Sequence, residues 1–171
     1  MSKKTSIIFA LFVIGLGVLN HFIYSWFPYP FVGLFAPVNE SIFEHLKLVF
    51  YPFLLSCIIR YFIVEDDYYF LKSALSSIVG ILTIPLLYYL INIFVTPPAF
   101  INILIFLIAC VLQELTFYKL MNDKTLNVPV RNSAGIIVIV TIILAFSVFT
   151  FNPPKMELFK DPETNSYGIN S

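Results

Sequence analysis

The sequence predicts an all-α membrane protein, a polytopic membrane helix bundle of about five transmembrane helices. Of its 171 residues, 59% are hydrophobic and 12% are charged, and the mean hydropathy is +0.90. Soluble domains carry about 25% charged residues, and a small soluble fold could not cover its surface with so few. The chain also contains five apolar runs of the length, about 20 residues, that a helix needs to cross a bilayer.

Short segments rich in proline or in charged residues separate these runs and end the helices. The predicted spans cover about residues 6–27, 42–64, 70–95, 99–120 and 133–151, within a single membrane domain that comprises residues 1–171. Pro85 lies inside the third span and should kink the helix without ending it, because apolar residues continue on both sides. The first run resembles a signal peptide but is too long for one, so we expect it to be retained.

The positively charged residues of the loops predict the orientation of the chain. With five spans, seven of them lie on one side (Lys3, Lys4, Arg60, Lys72, Lys119, Lys124 and Arg131) and three on the other (Lys47, Lys155 and Lys160). Because the excess marks the cytoplasmic side, the N-terminus is predicted in the cytoplasm and the C-terminus outside the cell membrane. The apolar spans make the lipid bilayer an expected partner. The net charge is zero and no basic stripe is present, so nucleic acid is not expected as a partner.

Two irregular segments are predicted on the outer face. Residues 28–38 form an aromatic outer loop between helices 1 and 2, in which three prolines and Gly33 prevent a continuous helix. Irregular backbone at membrane depth is tolerated only against protein or a wet cavity, so we expect this loop to cover part of the outer face. Residues 152–171 form a polar outer tail, for which a disordered terminus is the default expectation. The alternative is that Met156, Leu158, Phe159 and Tyr167 dock it on the outer face, over this loop.

The stretch PVNESIFEHLKL, residues 37–48, places several polar side chains between apolar runs. Ser41 and Glu44 have the spacing of a capping box, in which both side chains bond to free backbone N–H groups at the start of a helix. Asn39 could serve as the cap instead, and Lys47 is expected to extend outward to the membrane surface. Capping therefore accounts for only part of this stretch.

Capping does not explain Glu40 or the two histidines. His21 lies about two turns before the outer end of the first span, and His45 lies near the start of the second, so both are expected close to Glu40. Ionisable groups within a span usually face the bundle interior and mark a functional site. The candidate ligand-binding residues are therefore His21, Glu40, Glu44, His45, Asn20 and Tyr88.

His21, His45 and Glu40 are also candidate ligands of a divalent metal ion, since three protein ligands plus water form a catalytic metal site. No HExxH or comparable motif is present. Glu44 and His45 are adjacent on a helix and point about 100° apart, so they should not both face one ion. The pattern favours a hydrogen-bonded or proton-titrating cluster instead, because histidine changes its charge near neutral pH.

Gln113 and Glu114 form a second polar pair, toward the cytoplasmic end of the fourth span. Either Glu114 neighbours Lys119 at the membrane interface, or the pair belongs to a polar path toward the outer cluster, with Arg60 as a partner. The sequence does not decide between these interpretations.

The segments PVNESIFEHLKL and LFKDPETNSYGI, together with the five-span layout, resemble a family of small uncharacterised bacterial integral membrane proteins. The likeness covers nearly the whole chain. In that family an aromatic residue, often Trp, stands where Phe43 does, and Gly often stands where Asn165 does. Asn can replace Gly in a left-handed turn, so this departure is mild. The resemblance implies a five-span topology and carries no known activity.

These observations favour a non-enzymatic protein that binds or transports a small ligand, an ion or a proton through a polar pocket in the outer half of the membrane. One alternative is a metal-dependent intramembrane hydrolase acting on a lipid or an envelope precursor, with Glu40 or Glu114 activating water. Another is a structural or assembly subunit of a membrane complex. A membrane-protein partner or a homo-oligomer could pack against Gly15 and Gly17 of the first helix.

Overall fold

The computed structural model describes residues 1–123, 125 and 132–169 and confirms the predicted all-helical fold. Its six α-helices are α1 (Lys3–Trp26), α2 (Pro30–Gly33), α3 (Ile42–Tyr61), α4 (Tyr69–Asn92), α5 (Ala99–Asn122) and α6 (Asn132–Phe151), and a short 3-10 turn follows at Glu157–Phe159. All except α2 are long and apolar enough to cross a membrane. The chain is therefore a multi-pass membrane protein. Lys124 and Arg131, which contribute to the orientation prediction, lie outside the described residues.

The observed helices end within three residues of the predicted spans. The largest differences are three residues: α1 begins that much earlier, and α3 and α4 stop that much earlier because the chain turns there. The N–H groups of Ile63 and Val64 both bond to the Arg60 carbonyl, which tightens the chain into a turn. As predicted, α4 continues through Pro85.

The central helix of the bundle is α3. Within its apolar stretch 61% of the residues are buried, against 22–33% in the other four spans. It packs against α1, α4, α5 and α6, and its apolar side chains, among them Val49, Phe50 and Phe53, lie in the core. Most of the exposed apolar residues within the five long helices lie on the other four, as expected of surfaces that face lipid, although the last turns of α3 also expose Leu55, Ile58 and Ile59.

Two glycines allow helices to approach closely, which is the usual role of small residues in membrane bundles. A Cβ at Gly135 of α6 would collide with the backbone of Phe70 and Leu71 at the start of α4. A Cβ at Gly17 of α1 would lie 2.7 Å from the Leu48 carbonyl oxygen of α3. Gly17 is thus used within the bundle, which corrects the expectation that it faces a partner, whereas Gly15 has open space around it.

We distinguish the two ends of the bundle by their polar residues. The histidine end is the end where α1 finishes and α3 begins, and the Arg60 end is the opposite one. At the Arg60 end, Arg60 donates a 2.7 Å hydrogen bond to Glu114, which also accepts one from Ser6 at 3.0 Å. The guanidinium carbon lies 4.2 Å from the centre of the Phe117 ring, a favourable cation–π arrangement.

Glu114 therefore pairs with Arg60, one of the two partners considered, and the pair joins α3 to α5. Gln113 lies apart from it, against Gly80 of α4, where an added Cβ would lie 2.6 Å from the Gln113 amide oxygen. Both amide atoms of Gln113 are buried without a hydrogen bond among the described residues.

Replacing Gly135 by alanine should lower the free energy of unfolding by about 1–3 kcal/mol, the usual cost of overpacking. The measurement is unfolding of the purified protein in detergent, by heat or denaturant. Gly15→Ala is the matched control, because its added methyl meets nothing and alanine favours a helix. Equal stability of the two variants would contradict the close contact between α4 and α6.

Replacing Glu114 by glutamine should lower the free energy of unfolding by about 3–5 kcal/mol, because it leaves the buried Arg60 charge without its counterion. The double variant Arg60→Met, Glu114→Gln should recover much of this loss, since no isolated charge remains. Lys119→Met, at an exposed position on the same helix, is the control. A Lys119→Met loss as large as that of Glu114→Gln would instead favour Lys119 as the partner of Glu114.

Candidate functional site

At the histidine end, the start of α3 fixes the positions of the polar residues in the stretch 37–48. Ser41 caps the helix, and its hydroxyl accepts a 3.3 Å hydrogen bond from the Glu44 N–H. The Asn39 side chain in turn accepts from the Ser41 N–H at 2.9 Å. Only half of the predicted capping box forms, because the Glu44 carboxylate bonds to the N–H of Val38 instead of returning to the N-cap residue.

Glu44 and Lys47, both on α3, form a buried ion pair that contacts the end of α6. Lys47 Nζ lies 2.6 Å from Glu44 Oε2 and donates a second 2.6 Å hydrogen bond to the Thr150 hydroxyl. Thr150 donates to the other Glu44 oxygen at 3.0 Å. Lys47 is fully buried, so the expectation that it extends outward was wrong: the carbonyls and the carboxylate inside the bundle provide its acceptors.

The aromatic loop folds over this ion pair. Lys47 donates to the carbonyls of Gly33 at 2.7 Å and Ala36 at 3.4 Å. Asn20 of α1 donates to the Phe35 carbonyl at 2.9 Å. These bonds give three carbonyls of the loop the hydrogen bonds that they would otherwise make within a helix or sheet. Irregular backbone at membrane depth needs such partners. The loop thus covers the end of the bundle, as predicted.

The tail packs against the same end. Ile169 N–H donates to the Thr150 carbonyl, and the Asn39 amide donates to the Gly168 carbonyl, both at 3.0 Å. The Phe159 ring lies 4.5 Å, centre to centre, from that of Phe43. Asn165 adopts a left-handed conformation with φ of 59°, which confirms the turn expected from the family resemblance. The described part of the tail is therefore docked on the bundle, as its apolar side chains suggested.

The two histidines meet at Glu40, beside the capped start of α3. His45 Nε2 lies 3.3 Å from Glu40 Oε2, and His21 Nε2 lies 3.8 Å from Glu40 Oε1. The two imidazole rings are 5.3 Å apart, centre to centre. Since one ligand atom of each residue lies within 4.8 Å of the others, we call these three residues the His–Glu–His cluster.

The cluster is accessible, with side-chain exposures of 31% for His21, 27% for His45 and 42% for Glu40. His45 Nδ1 lies 2.9 Å from the Ser41 carbonyl oxygen. A carbonyl can only accept, so this nitrogen carries a proton. If the ring is neutral, Nε2 then presents a lone pair to the Glu40 carboxylate. The unfavourable contact is removed by a cation, either a second ring proton or a bound ion.

Glu40 supplies the negative charge of the cluster. The hydrogen bond with His45 lowers the pKa of the Glu40 carboxyl, while its partial burial acts in the opposite direction. Glu40 is therefore ionised at neutral pH, as a ligand for a cation must be. His21 Nδ1 is buried and has no hydrogen-bond partner among the described residues.

The other candidate residues lie outside the cluster. Glu44 is held by Lys47 and Thr150 and does not point into the cluster with His45, in agreement with the 100° separation expected between them, and Asn20 is bonded to the aromatic loop. The Tyr88 ring packs edge-on against Tyr89. Sequence reasoning missed Thr150, which is fully buried; a hydroxyl in the last turn of an apolar helix was its only signal.

A model of one protein family matches residues 2–169, and that family is described as a family of unknown function (DUF6512). No curated protein and no solved structure matches the chain. Because the match extends over nearly the whole chain, it confirms the resemblance to an uncharacterised family. The chain belongs to the family of unknown function DUF6512.

Proposed function

We propose that this protein binds a small cation at the His–Glu–His cluster, on the extracytoplasmic side of the bacterial cell membrane, and is not an enzyme. The observation that carries the proposal is that both histidine Nε2 atoms approach the carboxylate of Glu40. Two nitrogens and an ionised carboxylate around one accessible point form a suitable site for a positive charge.

The remaining charged groups of the histidine end favour this assignment. Glu44 is neutralised by Lys47, and its carboxylate accepts two further hydrogen bonds, from the Val38 N–H and the Thr150 hydroxyl, while its own N–H donates to the Ser41 hydroxyl. Its role is structural. Glu40, by contrast, makes contacts only to the two accessible histidines among the described ion pairs, so it is available to a ligand that enters from solvent.

Lys47 favours binding over conduction. Its buried ammonium group lies on α3 two residues beyond His45 and ties the aromatic loop to α6. A second cation moving from the cluster into the bundle would meet this positive charge in a medium where charges interact strongly. In this conformation the pocket therefore loads and unloads from the histidine end alone.

The carboxylates do not favour the hydrolase alternative. A metal-dependent hydrolase needs a free carboxylate beside the metal to activate water. Glu40 belongs to the cluster itself, and Glu114 lies at the Arg60 end, bonded to Arg60 and Ser6. Among the described residues, neither candidate base is free beside the cluster.

The proposed orientation is tested by labelling single cysteines on intact cells with a membrane-impermeant maleimide. Glu163→Cys, in the exposed tail, should be labelled, and Lys4→Cys, at the opposite end, should be labelled only after the cells are opened. The unaltered chain is the control, because Cys57 and Cys110 are both buried. Labelling of Lys4→Cys alone on intact cells would show that the histidine end faces the cytoplasm.

Cation binding is tested by the melting temperature of the detergent-purified protein, which rises when a ligand binds the folded state. Metal ions, ammonium, guanidinium and small amines are screened separately. At about 100 times its Kd, a bound cation should raise the melting temperature by roughly 5–10 °C. Glu40→Gln should abolish the shift, and Glu163→Gln, which removes an exposed tail carboxylate, should keep it. An equal shift in the Glu40→Gln variant, or none in the unaltered chain, would refute the proposal.

A further inference from the structure

The His–Glu–His cluster has the composition of a transition-metal site, and this inference rests on the proposed cation binding. We propose that the cation is a divalent first-row transition metal ion, with Zn²⁺ preferred, bound by His21 Nε2, His45 Nε2 and one oxygen of Glu40. One ion is bound per chain, and its remaining coordination position faces solvent. The site thereby joins α1 to the start of α3.

The separations of the donor atoms fit such an ion. With metal–ligand distances of about 2.0–2.1 Å, the ligand atoms of a tetrahedral zinc ion lie about 3.3 Å apart. His45 Nε2 and Glu40 Oε2 are 3.3 Å apart, and His21 Nε2 is 3.8 Å from Glu40 Oε1. All three ligand atoms lie within 4.8 Å of one another. Because the two distances run to different oxygens of Glu40, one oxygen binds the ion together with both nitrogens only after the side chains rotate to bring all three ligand atoms about 3.3 Å apart.

The hydrogen bond at the back of His45 is the second, independent observation. Metal-binding histidines usually donate their other ring N–H to a carbonyl or carboxylate, which fixes the tautomer and aims the ring. His45 Nδ1 faces the Ser41 carbonyl at 2.9 Å. That carbonyl is held in place by the N-cap of α3, so the backbone of the helix start directs Nε2 into the cluster.

The donor set selects the class of metal. Imidazole nitrogens suit zinc, copper, nickel and iron, whereas calcium and magnesium prefer oxygen ligands. The buried ion pair of Glu44 and Lys47 excludes Glu44 as an additional oxygen ligand. Two nitrogens and one carboxylate oxygen with an open position thus indicate zinc or a close neighbour, bound reversibly from solvent.

The test uses the full chain, purified in detergent without a histidine tag, stripped with a chelator and then loaded with Zn²⁺ alone. Elemental analysis after desalting should find about one zinc per unaltered chain. His45→Gln and Glu40→Gln should each weaken zinc binding by more than about 100-fold, because loss of a mere supporting hydrogen bond already costs 10–100-fold. Glu163→Gln should bind zinc as the unaltered chain does. Melting of each variant in chelator verifies that it is folded.

Loading with Co²⁺ provides a second readout, because its visible absorption reports the coordination geometry. Spectra typical of four-coordinate cobalt with nitrogen and oxygen ligands should appear in the unaltered chain and disappear in His45→Gln. Zinc bound equally by the Glu40→Gln variant would refute the site. If the folded chain binds no zinc or cobalt but a cation other than a transition metal stabilises it through Glu40, the metal inference is wrong and the proposed function stands. If no cation does so, both are wrong.

Discussion

The histidine end of the bundle depends on the buried ion pair between Glu44 and Lys47. Burying two charges costs several kcal/mol per ion unless their hydrogen bonds are satisfied. Here the ammonium group has four oxygen atoms within 3.4 Å, and the carboxylate accepts from Lys47, Thr150 and Val38. These partners come from the aromatic loop, from α3 and from α6. The pair therefore fixes three separate parts of the chain together.

The position of the His–Glu–His cluster follows from this ion pair. Successive residues of a helix are rotated by about 100°, so a Glu44 that points into the bundle turns His45 sideways, toward α1. His21 reaches the same level from α1, and Glu40 precedes the cap of α3. The cluster contributes little to its own placement, because only one of its contacts to Glu40, at 3.3 Å, is within hydrogen-bonding distance. The elements around the cluster therefore determine its position.

Hydropathy and helix capping made most of the fold predictable from the sequence. The five spans followed from the length of the apolar runs, and Ser41 is the cap that its spacing to Glu44 predicted. The convergence of His21 and His45 on Glu40 followed from their depth in two neighbouring spans. These predictions succeeded because each rests on local sequence or on the fixed rise of a helix.

The predictions that failed depend on contacts between distant parts of the chain. Lys47 was expected at the surface because a single lysine in a span is cheapest there. Its acceptor Thr150 lies 103 residues away, and no local pattern connects the two. In the same way, the role of Gly17 depends on Phe106 and Leu48, which only the packing of three helices brings to it.

The two ends of the bundle use their charges in different ways, and this difference supports the ligand site that we propose at the His–Glu–His cluster. At the Arg60 end, Arg60 and Glu114 are 1% and 3% exposed, and aromatic rings enclose the guanidinium group. Such a pair holds α3 to α5 and is closed to solvent. At the histidine end, the buried charges of Glu44 and Lys47 hold α3 to α6 and to the aromatic loop. The His–Glu–His cluster lies closer to the surface than this pair and is 27–42% exposed. Because the buried pair of Glu44 and Lys47 already holds this end of the bundle together, the accessible nitrogen and oxygen atoms of the cluster are better explained by a ligand than by stability.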